Sequence, residues 1–261
     1  MRRGPGLNRF LYLVKNDFND LKVYLRVSTD EGKSFDEARV VTDDSRYHVL
    51  NNDRVTRLST GRLIVPVATT ANVQSENHFI CSCYYSDDAG KTWVKGSGSV
   101  DAPDRGAMEP EVIELRGERL AMLIRNQLGY IGVSYSDDWG VTWTEQENLG
   151  VKSPEAPATI RRIPATGDLL LIWNNHYEAG ADHGGKRNPL TAAISKDDGK
   201  TWIHTKNIEE SDAHTYSYPS LIFTQDRAVL SYYVQDEATG QISNRFRSVP
   251  VSWFYQEAEK K

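Results

Sequence analysis

The chain has 261 residues, enough to bury a large core in one domain, and its net charge of −5 is spread over mixed signs, which speaks against nucleic acid or an anionic membrane as partner. Thirteen Tyr, seven Phe and six Trp suit a sheet-rich protein, no stretch carries a long helical period, and no apolar run, 10–14 included, is long enough for a signal core or a membrane span. Cys81 and Cys83 are the two cysteines; two apart on one predicted strand, they read as buried thiols, so no disulfide framework, no cysteine-based metal site and no cofactor is expected.

Taken in order, residues 8–35 supply a strand at 9–14, a polar loop holding Asp17 and Asp20, and a second strand that ends at Ser28. The next unit, 52–95, has strands at 54–58 and 62–68 around a turn at Ser59-Thr60-Gly61, then a long polar loop and a strand from Phe79. Residues 109–145 repeat the scheme, with strands at 111–115 and 120–125, and 157–204 repeat it again around a turn at Ala165-Thr166-Gly167 and a long loop at 174–187. The last unit, 216–254, runs from Tyr218-Pro219-Ser220-Leu221-Ile222 to Arg245-Phe246-Arg247. Short β-runs separated by turn signals at regular spacing predict an all-β repeat architecture, and the whole of 1–261 reads as one domain.

One motif punctuates the units. Ser136, Asp138, Gly140, Thr142 and Trp143 form an S-x-D-x-G-x-[TS]-[WF] pattern that recurs as Ser28/Asp30/Gly32/Ser34/Phe35, Ser86/Asp88/Gly90/Thr92/Trp93 and Ser195/Asp197/Gly199/Thr201/Trp202. The starts lie 58, 50 and 59 residues apart. Ser and Asp side chains bond nearby backbone amides, Gly allows positive φ, and the closing aromatic returns to the core. The box is therefore read as a folding staple on a strand-to-strand turn, with no chemistry of its own.

These four boxes resemble the Asp-box, or bacterial neuraminidase repeat, of the sialidase superfamily. The resemblance implies a six-bladed β-propeller with four antiparallel strands per blade, here with an incomplete N-terminal blade. The fifth unit lacks a box.

In a propeller the ligand pocket lies at the axis, where first strands and their adjoining loops converge. The resemblance then becomes specific. Glu109-Pro110-Glu111-Val112-Ile113-Glu114-Leu115, followed by Leu123-Ile124-Arg125, is similar to the family's glutamate that opens a middle blade and the arginine that ends its second strand. By that match Arg125 is implied as the second arginine of the family's triad and Glu109 as the partner of the nucleophile. Arg187, ahead of the fourth box, is implied as the third arginine, and Tyr218 as the catalytic tyrosine, with Tyr216 as its competitor. An aspartate in the loop before the first box is implied as acid/base, Asp20 preferred over Asp17. Asp53 matches a pocket-lining aspartate. No match to the family's first arginine is found near the N-terminus; Arg54 stands as a possible substitute.

The chemistry suits the residues. A sugar carboxylate is held well by paired guanidinium donors, and a neutral phenol meets that anion with less repulsion than a carboxylate nucleophile would. The expected function is an exo-glycoside hydrolase that removes terminal sialic acid, or a related acidic sugar, from sialylated glycans with retention. The alternative is a non-catalytic sialidase-like propeller, one that binds glycans or protein or a truncated homologue without turnover. The sequence leaves localisation open between a cytoplasmic protein and an exported one whose start is missing.

Overall fold

A computed structural model describes residues 8–14, by their backbone, and 19–257. The four boxes fold into four matching turns. In each, the Ser hydroxyl donates to the Asp carboxylate at 2.8 Å and accepts the Gly N–H at 2.7–2.9 Å. The same Asp receives the N–H of Ser34, Thr92, Thr142 or Thr201 at 2.9 Å, and its second oxygen takes the hydroxyl of that residue at 2.5–2.7 Å. Gly32, Gly90, Gly140 and Gly199 all have φ between 84° and 89°, a left-handed conformation costly for other residues. At Gly90 a Cβ would also lie 2.6 Å from Leu25 Cδ2.

Among the described residues the strands form five antiparallel sheets. The first holds β1 (Asn8–Val14), β2 (Lys22–Ser28) and β3 (Arg39–Val40). The second holds β4 (Tyr47–Val49), β5 (Thr56–Arg57), β6 (Leu63–Thr70), β7 (Ile80–Ser86) and β8 (Val94–Lys95). The third runs β9 (Met108–Glu114), β10 (Leu120–Arg125), β11 (Tyr130–Ser136) and β12 (Glu147–Lys152), each beside the next. The fourth repeats that order with β13 (Thr159–Arg162), β14 (Leu169–Asn174), β15 (Leu190–Ser195) and β16 (Ile203–Glu209). The fifth has three strands, β17 (His214–Thr224), β18 (Arg227–Asp236) and β19 (Ile242–Pro250). The strand predicted at 54–58 is shorter than expected: the inner edge of the second sheet is shared by β4 and β5, both paired with β6 and separated by the Asn52-Asp53 turn. Among the described residues no helix is long and apolar enough to cross a membrane.

The sheets stack face to face in a propeller-like arrangement, and side-chain parity shows how. On β10, Leu120, Met122 and Ile124 join a cluster shared with the second sheet, whereas Ala121 and Leu123 join one shared with the fourth. On β14, Leu169, Leu171 and Trp173 face the third sheet and Leu170 and Ile172 the fifth. On β6, Ile64 and Ala68 face the third sheet, and Val65 and Val67 the first. Successive residues of a strand point to opposite faces, so a middle sheet buried on both faces reads as a continuous apolar run rather than an alternating one. Each fully buried aliphatic side chain contributes about 1.5–3 kcal/mol relative to exposure, and these clusters hold neighbouring sheets together. Cys81 and Cys83 are free and buried in this core, as expected.

Candidate active site

Two proline-coded irregularities build the site. In β9 the register against β10 shifts between Leu123 and Arg125, and in β17 the register against β18 shifts between Ser217 and Ser220. Each shift falls on an X-Pro pair of a first strand, Glu109-Pro110 at the start of β9 and Tyr218-Pro219 midway along β17. Proline has no N–H to give the ladder, so pairing breaks there and the preceding residue is free to turn aside. Glu109 has φ +43° and Tyr218 has φ +54°, left-handed values that are uncommon outside glycine and cost about 1–3 kcal/mol. The two strained residues are brought together across three sheets.

The Tyr218 hydroxyl donates to Glu109 Oε1 at 3.0 Å, and the other carboxylate oxygen accepts Arg125 Nη1 at 2.6 Å. Arg125 spends its second arm on Glu155 Oε1 at 2.8 Å. Glu155 lies in the segment between β12 and β13 and its carboxylate is fully buried. It also receives Arg105 Nη1 and the Gln127 amide at 2.9 Å, and lies 2.9 Å from His183 Nδ1. Arg187 donates to the Glu155 carbonyl at 3.1 Å and stands with Cζ 5.5 Å from the centre of the Tyr218 ring. A small apolar recess of ≈ 70 Å³, walled by Val49, Ala68, Phe79 and Met108, opens beside Glu109, Arg125 and Arg105. A polar concavity of ≈ 170 Å³ reaches Tyr218 from the side of Asn52, Tyr233 and Asn244.

The electrostatics follow from burial and neighbours. Burial and the Glu109 charge raise the Tyr218 pKa above the usual phenol value, outweighing Arg125 and Arg187, so the phenol is neutral at neutral pH. Burial would lower the Arg125 pKa, but Glu109 and Glu155 outweigh it and the guanidinium is held firmly charged. Burial would likewise raise Glu155, yet Arg125, His183 and Arg105 bring its pKa below the ordinary value and keep it ionised. The cluster thus combines a neutral phenol, a carboxylate within reach of its proton, and an excess of guanidinium groups around a shallow opening. That set can hold an anion while a proton leaves the phenol.

The structure brings Glu109, Arg125, Arg187 and Tyr218 into one cluster, and the side chains of the other candidates have their ion-pair and hydrogen-bond partners elsewhere. Tyr216 is 1% exposed and packs in the core between the fourth and fifth sheets, which leaves Tyr218 as the tyrosine at the opening. The assignment of Arg54 to ligand binding is corrected. Arg54 has no exposed surface, and its guanidinium is taken up by Glu111, by Thr159 Oγ1 at 3.2 Å and by the Ala158 carbonyl at 2.8 Å. Asp53 is paired with Arg161 at 2.7 Å, and Arg161 also contacts Glu111, so Asp53 lies at the edge of that same buried network. Asp20, just ahead of β2, is half-exposed with Lys22 Nζ 3.7 Å away. Asp17, like Arg2 and Arg3, lies outside the described residues.

Two residues of the cluster, Arg105 and Glu155, escape a reading by strand starts and strand ends. The signal for Glu155 was compositional, an acid inside Ser153-Pro154-Glu155-Ala156-Pro157-Ala158, where little else is polar. Arg105 lay four residues ahead of Glu109 in the loop that leads into β9.

Comparison with known proteins places this geometry in context. A family model described as a BNR repeat-like domain matches residues 10–231. A sialidase of Bacteroides fragilis (strain YCH46) is 28% identical over 224 residues, which cover 80% of this chain and 39% of that protein. Among solved structures, a protein of unknown function from Dyadobacter fermentans DSM 18053 superposes with a TM-score of 0.68 at 22% identity, over 87% of this chain and 64% of the other. The leech intramolecular trans-sialidase, complexed with 2,7-anhydro-Neu5Ac, superposes with a TM-score of 0.69 at 18% identity, over 90% of this chain and 37% of its own. At these identities the superpositions show a shared fold. The chain spans well under half the length of the curated sialidase it matches.

Proposed function

The chain belongs to the BNR repeat-like family of the sialidase superfamily, and from that premise we propose that it is an exo-acting, sialidase-like glycoside hydrolase that releases a terminal acidic sugar, sialic acid first among them, with retention of configuration. In this reading the five sheets belong to a six-bladed ring and the pocket lies on its axis. The observation that carries the proposal is the Tyr218–Glu109 hydrogen bond of 3.0 Å, with Arg125 on the other oxygen of the same carboxylate.

The chemistry runs in two balanced steps. Arg125 and Arg187 hold the substrate carboxylate. The Tyr218 oxygen attacks the anomeric carbon as its proton passes to Glu109, and the bond to the leaving oxygen breaks as that oxygen takes a proton from a second acid. Water then attacks the glycosyl–tyrosine, giving its proton to the second acid, now a base, while Glu109 returns the first proton to the phenol. Because Tyr218 is a neutral phenol with a raised pKa, it depends on Glu109 for activation. Asp20 is the candidate for the second acid.

Release of a fluorophore from an aryl α-sialoside tests the proposal. The wild type should turn over, and both Tyr218→Phe and Glu109→Ala should abolish turnover in protein whose circular dichroism shows it folded. A second reading, a propeller that binds acidic glycans without hydrolysing them, is favoured by the placement of Asp20, half-exposed and with the Lys22 ammonium as its charge partner at 3.7 Å. Saturable binding of sialoside by a well-folded wild type without turnover would select that reading and sink the first.

A further inference from the structure

We propose that His183, in place of Asp20, gives the proton to the leaving oxygen, and that Glu155 holds its imidazole in the tautomer this task requires. The inference rests on the hydrolase reading above, whose second acid it names.

The loop between β14 and β15 brings His183 to the mouth, and Glu155 grips that loop with all of its polar groups. Its N–H donates to the His183 carbonyl at 2.8 Å, its carbonyl accepts Arg187 Nη2 at 3.1 Å, and its Oε2 lies 2.9 Å from His183 Nδ1. Arg187, four residues after His183, is the guanidinium that stands 5.5 Å from the centre of the Tyr218 ring. The imidazole is thus held by the same residue that places Arg187 beside the nucleophile. His183 has φ +51°, uncommon outside glycine, and the Glu178 N–H donates to the Gly184 carbonyl at 2.9 Å across the neck of the loop.

The two ring nitrogens have different surroundings. The Glu155 carboxylate is buried and ionised, so it can only accept, and Nδ1 carries a proton in both charge states of the ring. Nε2 is then the atom that gains and loses a proton. It makes no hydrogen bond among the described residues, since the nearest carboxylate, that of Asp182, is 3.8 Å away, and 49% of the side chain is exposed. An imidazole held at one nitrogen by a buried carboxylate and free at the other is the arrangement that suits general acid–base work. Asp20, by contrast, bonds to no member of the cluster among the described residues, and its charge partner is Lys22. In the first step Nε2–H passes to the leaving oxygen as the bond to the anomeric carbon breaks, which leaves a neutral imidazole. In the second, Nε2 takes a proton from the water that attacks the glycosyl–tyrosine, which restores the imidazolium.

The test compares wild type with His183→Asn and Asp20→Asn by kcat/KM on two substrates. The nitrophenyl α-sialoside has a leaving group that departs without a proton; sialyllactose has one that needs it. Asparagine keeps a donor for Glu155, tolerates left-handed backbone and lacks Nε2. His183→Asn should lose about 10²- to 10⁴-fold on sialyllactose, the usual worth of general acid–base catalysis, and less than about tenfold on the aryl sialoside. Azide, which attacks without giving up a proton, should raise the variant's turnover of the aryl sialoside and yield the sialosyl azide. Equal losses on both substrates with no azide effect would make His183 a support of the loop and overturn the inference. The same dependence on leaving group in Asp20→Asn, and not in His183→Asn, would overturn it while leaving the hydrolase reading intact. No turnover by wild type would remove the hydrolase reading and this inference with it.

Discussion

Glu109 and Glu111 stand two residues apart on β9, where a regular strand would send both to the same face, yet they belong to two different ion networks. Glu111 has no exposed surface; it binds Arg54 and Arg161 and accepts the Ile160 N–H at 3.2 Å. Glu109 binds Arg125 and Tyr218 at the edge of a recess. The bulge at Glu109-Pro110 parts them. One network joins the second, third and fourth sheets and is closed at its centre, where Arg54 and Glu111 have no exposed surface. The other is open, carries left-handed backbone at both Glu109 and Tyr218 and holds an excess of positive charge. Position on a strand does not decide whether a buried ion pair supports a fold or works on a substrate; what remains unfilled around it does.

The sharpest way to break this contrast is to remove one charge at a time. Glu109→Gln keeps the shape but takes away the proton acceptor, so turnover should fall about 10²- to 10⁴-fold, the usual worth of general acid–base catalysis, with little change in melting temperature. Glu111→Ala should do the reverse. It leaves Arg54, fully buried, without its carboxylate, and breaking such a pair from one side costs about 3–5 kcal/mol of stability, read by urea unfolding. Should Glu111→Ala instead lower turnover with stability intact, the division into a closed floor around Glu111 and an open mouth around Glu109 would be wrong.

The same contrast explains what the sequence made legible. The four boxes were readable because their bonds are local, spanning four residues at most from Ser28 to Gly32 or Asp30 to Ser34, so the motif contains its own structure. Strand runs were readable where both faces are buried, as in β6 and β10. The pairing of Glu109 with Tyr218 spans 109 positions, and it was read through resemblance to a family rather than from pattern. Glu155 went unread because its partners Arg105 and Arg125 lie 50 and 30 residues away and its own segment has no period. Arg54 was misread for a related reason: its placement at the start of a first strand suggested the axis, while the contacts that bury it come from Glu111, Ala158 and Thr159, 57 to 105 residues on.

Between floor and mouth runs a hydrogen-bonded path. The Pro219 carbonyl, next to Tyr218, accepts Asn52 Nδ2 at 2.9 Å and Thr159 Oγ1 at 2.5 Å, and Thr159 Oγ1 in turn accepts Arg54. The closed network thereby holds the left-handed turn at Tyr218 in place. Thr159→Val removes the link without touching the phenol, and a displaced nucleophile loses rate more than binding. A fall in kcat of about tenfold with KM nearly unchanged is expected, and Thr159→Ser should restore most of it. A proportional rise in KM instead would show that the floor shapes the ligand site and not the tyrosine.

The smallest effect belongs to the boxes, which lie apart from both networks. Hydrogen bonds from Ser34, both hydroxyl and N–H, hold Asp30 at a pKa of about 2, and the equivalent bonds from Thr201 hold Asp197 at about 2. A carboxylate whose pKa is depressed on folding contributes stability that is fully present above its unfolded value, near 4, and is lost as pH falls through the folded value. The double variant Asp30→Asn, Asp197→Asn should therefore melt below wild type at pH 5 and above, with the gap closing between about pH 4 and pH 2. Sialoside binding at neutral pH should be the same in both proteins, because these turns join strands by bonds within themselves and meet none of the residues at the mouth. A gap that persists at pH 2 would mean that the aspartates act through shape rather than charge, and a loss of binding would tie the staples to the site they stand apart from.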